Sequence, residues 1–383
     1  MVLFRVLSEE RVLLFLTQRN KMIIRKALAG TTATADRRVS ERKKTDMNYI
    51  DMHCDTLSAA LARGEKTIKS LGGTMADAER LKRSGAMAQF FAMFLPQEEG
   101  SLKCREKEKT KDDGREKEDM AGQLAGRMED MYEIYVNTLE ECSDSLAPAY
   151  QAADLAKNWK EGKVSALLTI ENGAVVAEKL DNIKAFYEKG VRLITLTWND
   201  ENCLGFPHSS QREKMQLGLK KFGKEAVACM AELGILVDVS HLSDGGFYDV
   251  ADILKKPFVA SHSNCRELAP ATRNLTDHMI RVLAEHGGVA GINFAPDFLN
   301  RNPEDKKSRI ERMCDHVEHF IRVGGEDCVG IGTDFDGIEG EFEIRDCTDM
   351  EKLFAALRKR GIAENTLEKI AFRNVERVIR EGM

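Results

Sequence analysis

Eight apolar segments recur along this chain, each running into polar residues, with helical stretches between them. They are "YIDMHCD" (49–55), "AMAQFFAMFL" (86–95), "VSALLTIEN" (164–172), "VRLITLTWN" (191–199), "GILVDVSHL" (234–242), "PFVASHSN" (257–264), "GGVAGINFA" (287–295) and "CVGIGTDFDG" (328–337). Continuous apolar strands imply burial on both faces, which is how a parallel sheet covered by helices is built. The clearest helix is "TDHMIRVLAEHGG" (276–288). Thr276 can cap it, Asp277 suits the N-terminal dipole, Met279, Ile280, Val282 and Leu283 form an apolar face, and two glycines stop it. Segments 181–190, 216–234 and 364–381 carry the same period. Eight strands alternating with helices predict a (β/α)8 TIM-like barrel. An open doubly wound sheet is the alternative, but no G-x-G-x-x-G or G-x-x-x-x-G-K-[ST] follows a strand, so its nucleotide-binding form has no support.

The 383 residues, 43% of them hydrophobic, suffice for one large domain, read as 48–383. Residues 1–47 read as an N-terminal extension, disordered or not native. Their apolar run Val12–Leu16 follows Glu9, Glu10 and Arg11 and fits a secretory signal poorly. No segment approaches the ~20 apolar residues that span a bilayer, and the charged "VERVIREGM" offers no lipid-anchor tail. A net charge of −6 without a basic stripe argues against a nucleic-acid partner. Nine scattered cysteines without C-x-x-C suit reduced thiols in the cytoplasm. Residues 97–119 are almost all charged and read as an inserted solvated loop or helix extension, with a partner-binding loop as the alternative; the helical period resumes at Met120–Glu141.

The chemistry lies where the apolar segments end. His53 and Asp55 end the first, Glu171 the third, His241 the fifth, His262 the sixth, and Asp334 and Asp336 the eighth. In a regular first strand, His53 and Asp55 would share a face with Tyr49 and Asp51, leaving Ile50, Met52 and Cys54 on the other. A single strand-end His is ordinarily structural. A barrel, however, gathers all these ends on one face, and that many carboxylates together would cost of the order of several kcal/mol without a cation. Imidazole and carboxylate without thiolate fit zinc, with manganese, iron or cobalt as alternatives. The ligands exceed one tetrahedral site, and two ions sharing a carboxylate would use them. A hydroxide held between two such ions makes hydrolysis the expected chemistry.

"IDMHCDT", "IENG", "LTLTWND", "DVSH", "ASHSN…RNLTD", "GINF" and "GIGTDFDG", in this order, resemble the membrane dipeptidase (renal dipeptidase) family of zinc peptidases, from about Asn48 to the closing helix. The resemblance implies a barrel of the metal-dependent hydrolase type with two Zn2+ per chain. His53 and Asp55 would hold one ion, His241 and His262 the other, and Glu171 would bridge them. It assigns Asp334 as the catalytic acid/base and Arg273 as the group that holds the substrate carboxylate. The sequence departs from the family at Trp198, where members have a His, and at Ala295, where some have a Tyr. Trp198 is then a packing aromatic or a wall of an altered pocket, and Asn199 a candidate polar substrate contact. The expected function is a zinc-dependent dipeptidase using a metal-bridging hydroxide on short peptides, including those with a C-terminal D-residue. It would be cytoplasmic, with no nucleic-acid or membrane partner, and a homodimer is consistent with the family. Two alternatives stay open: a binuclear amidase or lactonase, and a weakly active paralogue with a binding role.

Overall fold

The computed structural model describes residues 47–96 and 113–383. Its eight principal strands are β1 (Tyr49–Cys54), β2 (Ala86–Phe94), β3 (Val164–Glu171), β4 (Val191–Thr195), β5 (Leu236–Asp238), β6 (Val259–Ala260), β7 (Val289–Ile292) and β8 (Val329–Ile331). Each pairs in parallel with the next, and β8 returns to β1 with Ile331 opposite Asp51, closing a (β/α)8 barrel. The β1–β8 seam has little ladder and is held largely beyond it. Thr333 donates from its backbone N and its hydroxyl to Asp51 (2.9 and 2.7 Å), Asp334 N donates to His53 O (3.2 Å), and Asp55 N donates to Phe335 O (2.8 Å).

All eight apolar segments become strands, but each strand is shorter than its segment. Past the last ladder pair, side chains take over the backbone donors. Ser240 N and Ser261 N, for example, both donate to Asp238 Oδ1 at 3.0 and 2.8 Å.

β1 is not regular, which corrects the simple alternation expected for 49–55. Asp51 lies opposite Gln89 and Cys54 opposite Phe91, so β1 carries one residue more than β2 across this interval. Ile50 and Met52 pack with Phe90, Leu167, Leu193 and Leu236 in the barrel floor, which Val375, Val378 and Ile379 of the last helix close from below. Tyr49 and Cys54 belong to the layer between strands and helices. The extra residue turns His53 to the inner side, above Met52, and leaves Cys54 facing away as expected. Each fully buried aliphatic side chain of that floor contributes about 1.5–3 kcal/mol relative to exposure.

The helix of 276–288 forms over Asp277–Glu285, with Thr276 Oγ1 accepting from Met279 N. The segment 364–381 is helical from Glu364 to Gly382, with one π turn at Lys369–Arg373. The helix expected over 216–234 starts only at Lys221, because Leu219 N is drawn to Asp249 Oδ2 (2.7 Å) and the chain bends there. A helix over Asp113–Glu141 begins inside the charged stretch; residues 97–112 and the extension 1–46 lie outside the described residues. The sequence reading did not anticipate a short strand, Leu146–Pro148, beside the start of β3, or the small pair Lys307–Ser308 and Glu341–Phe342. Among the described residues, no helix is long and apolar enough to cross a membrane.

Candidate metal centre

The C-terminal ends of β1, β3, β5, β6 and β8 bring His53, Asp55, Glu171, His241, His262 and Asp334 together, all buried. His53 Nε2 lies 3.4 Å from Asp55 Oδ2, 3.4 Å from Glu171 Oε2 and 3.8 Å from Asp334 Oδ1. The other oxygen of Glu171, Oε1, lies 3.1 Å from His241 Nε2 and 3.6 Å from His262 Nε2. One carboxylate therefore faces two groups of ligands, a different oxygen toward each. The His53 and His262 rings stack at 3.9 Å.

The backbone is bent to make this possible. Six non-glycine residues among those described have positive φ, and four of them are His241 (67°) and Asp334 (63°) in the cluster and Asn172 (80°) and Asp336 (68°) within two residues of a member of it. Left-handed backbone costs about 1–3 kcal/mol per residue outside glycine, least for Asn and Asp. Gly337 is required for another reason: a Cβ there would lie 2.2 Å from Asp55 Oδ2 and 2.7 Å from Asp334 Oδ1.

The donor set fits cations. His241 Nδ1 faces the amide oxygen of Asn199 at 3.1 Å, an acceptor, so Nδ1 carries the ring proton and Nε2 is bare. That bare nitrogen faces a carboxylate oxygen at 3.1 Å with no proton between them. Burial and Arg273 push the His241 pKa down to about 3, so it does not become a cation at neutral pH. Both ring nitrogens of His53 and Asp55 Oδ1 are buried without hydrogen-bond partners among the described residues. Such an array is stable only around positive charge.

Stripped of metal, the site must balance itself with protons. Burial alone would push His53 down, but Glu171 and Asp55 override it and hold its pKa well above the ordinary value. Burial, joined by the charge of Glu171, pushes Asp55 up to about 6; burial, joined by Asp55 and Glu171, pushes Asp334 up to about 7. Between about pH 4 and 7 the folded metal-free protein thus binds more protons at Asp55 and Asp334 than the unfolded chain, and these two contributions to stability fall as pH rises; His241, pushed down to about 3, and His208 and His316, pushed down to about 4 by burial, bind fewer protons than when unfolded over the same range and oppose them. His53 acts in the same direction as the two carboxyls. Glu171, held below its ordinary value by His53 against the effect of burial, opposes only in acid. The expected result is a zinc-induced rise in Tm larger at about pH 7.5 than at about pH 5, because the ion must displace the protons held at His53 and Asp55. Thermal scans with and without zinc across this range check it; a zinc effect independent of pH would contradict it.

The remaining expected residues fall as follows. Asp336 turns away from the cluster, accepting from Thr56 Oγ1 (2.6 Å) and Met75 N (2.5 Å). Trp198 lies beyond the end of β4, half-buried, its ring edge-on to Phe94 at 5.0 Å and 6.4 Å from the His241 ring, so it packs and lines the mouth at once. Asn199, expected on the substrate, directs its amide oxygen to His241 and to His208 Nε2 (3.2 Å). Arg273 is buried; it donates from Nη1 to Ser263 Oγ (2.6 Å) and from Nη2 to His262 O (2.9 Å), and its Nε has no hydrogen-bond partner among the described residues.

Sequence reasoning passed over four polar residues here. Asn293 Nδ2 donates to Asp334 Oδ2 at 2.8 Å. His208 pairs with Thr272 Oγ1 at 2.8 Å and links the loop of Arg273 to Asn199. Asp238 and Ser261 lie beneath His262. Asn293, Asp238 and Ser261 sit inside "GINF", "DVSH" and "ASHSN", whose polar letters next to the histidines were the available signal.

A family model described as membrane dipeptidase (Peptidase family M19) matches residues 38–382. The chain is 32% identical over 244 residues to dipeptidase tcpJ of Claviceps purpurea, an alignment covering 63% of this chain and 57% of that protein. It is 34% identical over 237 residues to an uncharacterized protein in the pqqA 5' region of Klebsiella pneumoniae, covering 60% and 86%. The metallopeptidase of Rhodobacter sphaeroides, solved with a phosphinate mimic of the dipeptide L-Ala-D-Ala, superposes with a TM-score of 0.77 at 26% identity, over 88% of this chain and 99% of that one.

Proposed function

The chain belongs to the membrane dipeptidase family, and from this we propose that it is a zinc-dependent dipeptidase cleaving short peptides with a free C-terminal carboxylate. The observation that carries the reading is Glu171, with Oε1 toward His241 and His262 and Oε2 toward His53. We assign two zinc ions, one to His53 and Asp55 and one to His241 and His262, with Glu171 shared. When bound, such ions supply Lewis acidity toward a carbonyl and toward water.

The chain's own residues do the rest. Arg273 receives the carboxylate: its buried guanidinium has no acid of the described residues within ion-pair reach, and although burial lowers its pKa to about 10 it stays charged at neutral pH. Phe298 supports it, the guanidinium carbon 5.6 Å from the ring centroid. Asp334 holds and passes the proton. Asn293 fixes one of its oxygens so that the other faces His53. Trp198 and Phe94 bound the mouth with apolar surface. The Rhodobacter relative's ligand makes dipeptides with a C-terminal D-residue the first substrates to try.

The test joins metal content to turnover. Elemental analysis should find about two zinc per chain, and a dipeptide panel including L-Ala-D-Ala should be cleaved, with chelator abolishing it. Full zinc with cleavage of esters or lactones but not dipeptides would replace the substrate class. Failure to retain any divalent metal would refute the reading.

A further inference from the structure

Asp238 stands in the barrel interior, two residues above the floor residue Leu236, and touches no candidate ligand itself. Its Oδ1 accepts from Ser240 N (3.0 Å) and Ser261 N (2.8 Å). Its Oδ2 accepts from two hydroxyls, Thr195 Oγ1 and Ser261 Oγ, both at 2.6 Å. Ser261 Oγ also lies 2.7 Å from His262 Nδ1. The side chains of Asp238, Ser261 and His262 are buried.

A serine hydroxyl has one proton. Ser261 donates it to the carboxylate, which cannot donate in return, so toward His262 its oxygen can only accept. His262 Nδ1 must then carry the ring proton, leaving Nε2 bare and directed at Glu171 and His241. We propose that Asp238 and Ser261 are positioning residues that fix His262 in its metal-binding tautomer, and that this relay makes the His241/His262 half able to retain its ion. The inference rests on the two-ion reading above.

The same bookkeeping of protons gives a specific consequence for Asp238→Asn. The amide oxygen must stay at the Oδ1 position, where two backbone N–H groups point at it. The amide nitrogen then takes the Oδ2 position and donates to Ser261 Oγ. The serine proton turns to His262 Nδ1, and the ring is left with its proton on Nε2, the nitrogen needed for metal. An orienting aspartate replaced by its neutral isostere leaves a histidine in the wrong tautomer by the same logic in hydrolytic triads.

The experiment compares wild type, D238N, S261A and T195V. Thr195→Val removes an equally short hydrogen bond to the same carboxylate oxygen without touching His262, so it reports the structural cost alone. Histidine 15N NMR on the metal-free proteins should find the proton on Nδ1 of His262 in wild type and T195V, and on Nε2 in D238N. Graded chelation with elemental analysis should show D238N and S261A losing affinity about 10- to 100-fold for one of two zinc ions, while T195V keeps both. An Nδ1 proton in D238N, or equal zinc retention in all four proteins, would overturn the proposal. A wild type that binds no zinc would overturn the two-ion reading instead, and the NMR comparison would still decide the relay.

Discussion

Asp334→Asn is expected to lower kcat about 10²- to 10⁴-fold, the range a positioned proton donor and acceptor supplies, with zinc content little changed. Asn is the informative replacement for two reasons. Residue 334 has φ +63°, a conformation Asn adopts with little penalty whereas Ala would add backbone strain to the lost carboxylate. An amide oxygen can also keep accepting from Asn293 Nδ2, so the side chain stays in place while the titratable proton is lost. The variant separates chemistry from assembly: a large loss in kcat with intact metal assigns the proton to Asp334, and unaltered kcat removes it from the mechanism.

Arg273→Met is expected to cost about 2–5 kcal/mol in kcat/KM, roughly 30- to 5000-fold, the usual cost of truncating one partner of a buried charge pair. The loss should fall on peptides with a free C-terminal carboxylate. Methionine roughly fills the volume, so the contact with Phe298 is kept in part while Ser263 Oγ loses the Arg273 donor and His262 O keeps only Asn293 Nδ2, at 3.2 Å. C-terminally amidated dipeptides supply the control: wild type should handle them poorly, and the variant no worse. Equal losses on acid and amide would mean that Arg273 holds the loop around His262 rather than the substrate.

The candidate metal ligands were legible as a cluster because each breaks an apolar run at its end, a position where a buried His or carboxylate needs a reason. The eight strands were legible because burial on both faces leaves no polar alternation to confuse them. What escaped was set by direction rather than residue type. The bulge in β1 has no signature in "YIDMHCD"; it exists because β2 advances two residues while β1 advances three, a property of the pair. Asn199 was legible as polar and near the site, but that its oxygen would meet His241 depended on the chain leaving β4 after Thr195, four residues before the apolar segment ends. Asp238 and Ser261 look like ordinary strand and turn residues until closure of the barrel places β4, β5 and β6 side by side.

The seam between the first and last strands has a consequence for how the protein is made and lost. Asp51 and Thr333 are 282 residues apart in the chain, and the side chains of His53, Asp55 and Asp334 meet across the same gap. Contacts of that span form late in folding, because their closure entropy must be met before they return anything. An ion held by His53 and Asp55 beside Asp334 would act as a clasp across the longest loop in the barrel. Metal loss from that half would then loosen the barrel at its join, and the joined strands would be the first place to admit solvent and proteases.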